Sequence, residues 1–187
     1  MKDIDGTKLE NVTDIQGKLL DLKVDHWSEH GLFSANWWLL LVLLTLPWIL
    51  WWFLVDRSRL FKILTLGLMV SIIANLLDTL GISWGLWVYK MDIVPGFPQL
   101  IPIDHSVLPV GYMLVYQFFP KWKHFLIVSV IASLFGAFIV EQTFVHIGIY
   151  KMIVWKHIYS VPFYILIAIG VKVFVDHVLG KIRDRKL

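Results

Sequence analysis

Three carboxylic acids, Asp78, Asp104 and Glu141, stand inside or at the mouths of long apolar runs. Acids in such places are costly, and by default they mark a functional site. Asp104 is followed directly by His105, within "IPIDHSVLP". A carboxyl kept largely from water can hold or transfer a proton near neutral pH, which suits acid–base chemistry. The same acids with nearby imidazoles could instead hold a divalent cation, with Asp78, Asp104, His105 and Glu141 as ligands. No tight ligand motif such as H-E-x-x-H occurs, so neither a metal nor another cofactor is expected. The plain structural alternative is capping, with Asp104 closing the N-terminus of its own helix and the others bonding between helices.

These residues need elements to carry them, and the composition says which. Of 187 residues, 58% are hydrophobic and 17% charged, and the mean hydropathy is +0.71. That balance is expected of an integral membrane protein. Ten Trp and six Tyr fit residues that collect at membrane interfaces. Cysteine is absent, which excludes disulfides and a thiolate nucleophile. The net charge of +3 is dispersed among loops, so nucleic acid is not an expected partner. No basic stretch followed by a cleavable apolar one opens the chain, so no removable signal peptide is expected. No repeat of fixed period is apparent.

A bilayer core needs about 20 apolar residues in a helix. The expected fold is all-α: five transmembrane helices preceded by an amphipathic N-terminal helix. The spans run from about Ala35 to Val55, Leu60 to Gly81, Asp104 to just before Pro120, Phe125 to Phe144 and Ile158 to Leu179. Pro47 is an expected kink in the first. In the N-terminal segment, Leu9, Val12, Ile15, Leu19 and Leu22 recur at helical spacing. Two regions follow: an extracytoplasmic segment at 1–34 and a membrane domain at 35–187.

Positive residues cluster on one side: Arg57, Arg59, Lys62, Lys121 and Lys123, then Lys181, Arg183, Arg185 and Lys186. The N-terminus is therefore expected outside a bacterial cytoplasmic membrane and the C-terminus inside. Asp78 lies sixteen residues beyond Lys62 and Glu141 seventeen beyond His124, heights of ~24 and ~25 Å at the helical rise. Asp104 and His105 begin the next span from that same outer level. Ser71, Asn75 and Asp78 recur at helical spacing on one face. Tyr112, Tyr116 and Gln117 extend a polar lining down the third span, or simply pack there. Ser129, Ser133 and Gly136 suit close helix packing. Lys172 is placed to pair with Asp176 or to reach the inner surface.

The linker "GISWGLWVYKMDIVPGFPQLIPIDHS" opens with Trp84, Trp87 and Tyr89 and is then broken by Pro95, Gly96 and Pro98. It reads as an aromatic flap over a polar mouth, or as an interfacial anchor. Asp78, "WGLWVY" and "IPID" together resemble the lycopene-cyclase-type membrane domain of carotenoid biosynthesis. Members carry an acidic residue, a W-x-Y-like stretch and a Pro-x-Glu-Glu motif at a helix start. The likeness spans roughly residues 75–117, and here Asp104 stands for the first Glu and His105 for the second. It implies cyclisation of polyene ends by proton addition and removal.

Pro102, Asp104, Pro109 and Tyr116–Gln117 also resemble a group of small multi-spanning proteins of spore-forming Gram-positive bacteria, which implies a plasma-membrane location and no particular activity. Two functional classes follow. One is a non-enzymatic membrane protein, a small sensor, transporter or complex subunit, in contact with lipids and with a protein partner or further copies of itself. The other is a cofactor-independent acid–base enzyme acting on a lipid or isoprenoid. In the enzyme, Asp104 and Glu141 are the acid and base and Asp78 assists, while Asn75, Trp87, Tyr89, His105, Tyr116 and Gln117 contact the ligand.

Overall fold

A computed structural model describes residues 6–179. The basic tail expected to mark the inner side, Lys181 to Lys186, lies outside the described residues. Six helices follow one another. The first, α1, is Gly6–His26, extended by a π-helical turn, Trp27–Gly31. Then come α2 (Ala35–Leu54) and α3 (Arg57–Ser83). Helix α4 (Leu108–Phe118) is preceded by a π-turn, Ile103–Val107. Helices α5 (Trp122–His146) and α6 (His157–Val178) complete the described residues.

Four of these, α2, α3, α5 and α6, are long and apolar enough to cross a membrane. The helix through α4 is continuous only over 101–118, and it does not meet that measure, so four candidate spans stand where five were expected. Its shortness has a local cause. Pro95, Gly96 and Pro98 keep the preceding linker out of helix, and Phe119–Pro120 ends it.

Helix α3 packs on α4 and α6, and α5 packs on the same two, so the four close a ring. Helix α2 lies outside it, against the π-turn of α4. Ser34 starts α2 as an N-cap, its hydroxyl accepting from the Trp37 N–H at 3.2 Å. The lower half of the ring is solid: Val70, Met113, Phe125, Ala168 and Val171 are all buried there. Gly67 permits this closeness, because a Cβ there would come within 2.5 Å of the Met113 sulfur.

Polar groups lock that end. The Gln117 amide donates to Leu54 O at 2.8 Å, and its Oε1 accepts from Asp56 N–H at 2.9 Å. Lys172, only 1% exposed, meets Asp176 at 2.9 Å and lies over the rings of Tyr116, Trp122 and Phe125. Tyr116 in turn donates to Asp176 Oδ1 at 2.7 Å.

At the opposite end the linker forms a strand, β1 (Trp87–Tyr89), antiparallel to β2 (Tyr150–Met152) between α5 and α6. The fold is all-α as expected, and this short ribbon is an addition to it. Three residues a side give too little periodicity to read from sequence. Helix α1 adjoins the linker through the Trp27 indole, which donates to Asp92 O at 3.0 Å. Leu9, Val12, Ile15, Leu19 and Leu22 on α1 remain at least half exposed.

Burial pushes the Asp92 carboxyl up to about 6, with Lys23 acting the other way. The folded state therefore binds this proton more tightly than the unfolded chain, and stability falls as pH rises between about 4 and 6. Asp92→Asn should accordingly stabilise the protein at pH 7 by about 1–2 kcal/mol after allowance for solvent screening. The gain should disappear at pH 4. Denaturation midpoints of both forms at the two pH values check this.

Candidate functional site

The site begins with how Asp78 is satisfied. It is 5% exposed on α3, where an ionisable group needs partners. Trp87 and Tyr89, two apart on β1, present their side chains to the same face. The Trp87 Nε1–H and the Tyr89 O–H both donate to Asp78 Oδ1, each at 2.8 Å. The Leu100 N–H, just before α4, donates to Oδ2 at 3.2 Å. This explains W-x-Y in physical terms: one oxygen, two donors, one strand. Gly81, one turn beyond Asp78, lets the Trp87 ring approach, since a Cβ there would come within 2.1 Å of the indole.

Asp104 sits on the π-turn before α4 and is 4% exposed. A π-turn admits an extra residue, and such bulges recur at functional sites. The turn's last part meets Pro109, which has no N–H to bond to the His105 carbonyl. The Trp48 indole of α2 donates to that carbonyl instead, at 2.9 Å. Its Oδ2 is buried without a hydrogen-bond partner. Asp78 acts on the carboxyl both by charge and by a side-chain hydrogen bond.

Glu141 follows a second π-turn, Gly136–Val140, on α5. Its Oε1 accepts from Tyr164 O–H at 2.6 Å, and its Oε2 lies 3.1 Å from His157 Nδ1, both on α6.

All three acids line one cavity of about 610 Å³ inside the ring and under the ribbon. Trp87, Tyr89, Tyr112, Tyr150, Phe144 and Tyr164 supply much of its wall, and Ser129 and Ser133 line it too. Among the described residues, no Lys, Arg or His lines it. Leu80 on α3, Trp84 just after it, Phe135 on α5 and Phe163 on α6 belong to the wall and are more than a third exposed. The cavity is therefore not sealed.

Other expected site residues are elsewhere. Ser71 and Asn75 do not share the Asp78 environment. At about 100° per residue all three fall within about 60° of one another on α3, so what separates them is the neighbour each meets and not the face they share. Ser71 Oγ is 2.6 Å from His105 Nδ1 and Asn75 Nδ2 is 3.3 Å from Nε2. His105, adjacent to Asp104, thus points away from the cavity. Tyr116 and Gln117 belong to the lock at the far end. Trp87, Tyr89 and Tyr112 do line the cavity.

Sequence reasoning missed Tyr150 and Tyr164 as lining residues. A signal for Tyr150 exists: Tyr-Lys-Met occurs at 89–91 and again at 150–152. The two tyrosines are paired across the ribbon, their rings 5.4 Å apart.

Fold and site define a helical bundle with apolar, membrane-length helices and an internal cavity that carries three carboxyls. No family model, curated protein or solved structure matches the chain.

Gly81→Ala should force Trp87 off Asp78 and destabilise the protein by about 1–3 kcal/mol. Gly111→Ala is the control, since a Cβ at Gly111 meets nothing within 4 Å. It should be neutral or stabilising by up to about 1 kcal/mol. Thermal denaturation of the two variants distinguishes these outcomes.

Proposed function

We propose that this protein is a multi-pass enzyme of a bacterial cytoplasmic membrane, performing cofactor-independent acid–base chemistry on an uncharged lipid or isoprenoid. In this reading α4 and its π-turn complete a fifth crossing, sheltered by the ring and α2, with the N-terminus outside and the C-terminus in the cytoplasm. The observation that carries the reading is the cavity: apolar, unsealed, and lined by three acids with, among the described residues, no Lys, Arg or His. A phosphate-headed substrate would find no cation in it. A neutral chain entering from the bilayer would find aromatic walls and carboxyls.

Asp104, with an unpartnered oxygen, delivers a proton to a double bond. The resulting cation lies among aromatic faces and carboxylates, which stabilise positive charge. Glu141 removes a proton from a neighbouring carbon, so the product is an isomer of the substrate and no oxidant is needed. His157 on the other oxygen of Glu141 gives that proton a way out. Asp78, held by three donors, stays fixed and sets the field around Asp104. The likeness to the lycopene-cyclase-type domain supports the same chemistry, although His105 points away from the cavity.

A transporter would need a polar path through the lower half, and buried apolar side chains occupy that region. A sensor or subunit that binds the same chain without turnover is the remaining reading. It is favoured by how completely Asp78 is bonded.

Membranes containing the protein, incubated in heavy water with an acyclic polyene, should yield product carrying one deuterium per proton added. Asp104→Asn and Glu141→Gln should each slow this at least ~100-fold while the protein remains folded and inserted. Retained chain binding with no deuterium uptake by the native protein would favour the binding role instead.

A further inference from the structure

A second, smaller cavity of about 330 Å³ lies outside the ring, between the C-terminal end of α1 and the linker after β1. It shares only Tyr89 with the large cavity. Asp92 lines it, and the Asp92 Oδ1 is buried without a hydrogen-bond partner. Lys23, His26 and Lys90 line it as well, with Leu22 and Met91 as apolar neighbours.

An unpartnered carboxylate calls for a cation that carries hydrogens. Three N–H-bearing side chains around it call for an anion with several oxygens. One ligand with both features is a primary ammonium joined by a short link to a phosphate. The cavity's volume is at the small end of the range for ligand pockets, about 300–1,000 Å³, which suits a headgroup. The helix that supplies Lys23 and His26 also carries the apolar stripe Leu9 to Leu22, uncovered by the rest of the chain. Such a stripe is suited to lying in a lipid interface.

We propose that this cavity is a headgroup site for an ethanolamine phospholipid, with the ammonium on Asp92 and the phosphate among Lys23, His26 and Lys90. The lipid's chains run beside the α1 stripe, so the bound lipid ties α1 to the ribbon that roofs the large cavity. At pH 7 Asp92 is largely ionised, since burial raises it only to about 6, and it is available to bind a cation.

The test uses the full chain in detergent and short-chain phosphatidylethanolamine and phosphatidylglycerol below their micelle concentrations, with binding measured by calorimetry at pH 7. The native protein should prefer the ethanolamine lipid about tenfold, the size of one charge-assisted bond. Asp92→Asn should bring the two lipids within about twofold. Lys23→Gln with Lys90→Gln should weaken both about tenfold, since both carry phosphate. Circular dichroism establishes that each variant is folded.

Equal affinity for the two lipids in the native protein overturns the proposal, as does a preference that survives Asp92→Asn. Glycerophosphoethanolamine without chains, binding as tightly as the lipid, overturns the lipid source and assigns the site to a soluble ligand of the same chemistry. At pH 5 the native preference should shrink, because protonated Asp92 no longer attracts the ammonium.

Discussion

A carboxyl group inside an apolar bundle must be given hydrogen-bond donors, and Asp78 takes three. Two come from one face of β1 and one from the backbone just before α4. That single requirement fixes the height of the ribbon, the path of the linker and the place where α4 begins. These bonds act together with the packing of the ribbon on Leu40, Leu100, Phe144 and Ile149, because two strands of three residues are marginal alone. The cavity exists because the ribbon is held over the ring at a distance rather than packed down into it.

The two ends of the bundle solve the same problem in different ways. At the closed end, Lys172 and Asp176 neutralise each other among aromatic rings, and Gln117 satisfies the loose backbone between α2 and α3. Every polar group named there has a partner, and the space is filled. At the open end Asp104, on the wall of the cavity, keeps a buried oxygen without one. A buried polar atom left unmatched next to a cavity is a feature that structure alone does not require.

Much of this was legible in the sequence, though unevenly. The long apolar helices followed from hydropathy, and the shared level of Asp78, Asp104 and Glu141 followed from counting residues at a fixed rise. Which way each side chain points was harder to read. Asp104 and His105 are adjacent, so a helix directs them about 100° apart, and only tertiary packing decides which faces inward. The π-turns before α4 and within α5 shift that register further and leave no mark in composition. Tyr116 and Gln117 lie on the same helix as Asp104, yet the cavity ends above them because Met113 and Phe125 fill the ring.

The paired Tyr-Lys-Met segments have a wider meaning. Each follows a long helix bearing an acid, Asp78 on α3 and Glu141 on α5, and each precedes a helix that packs back on the first. The chain therefore contains helix–strand–helix twice, in the same order. The two copies meet strand to strand at Tyr89 and Tyr150. Such an arrangement has the form of an internal duplication about an axis through the ribbon. Asp78 from one copy and Glu141 from the other line the same cavity. What distinguishes them is their partners: Asp78 is bonded within its own copy's strand and linker, Glu141 to its own copy's second helix. The two halves share an order of elements but differ in partners, and a molecule held between them meets a different acid on each side.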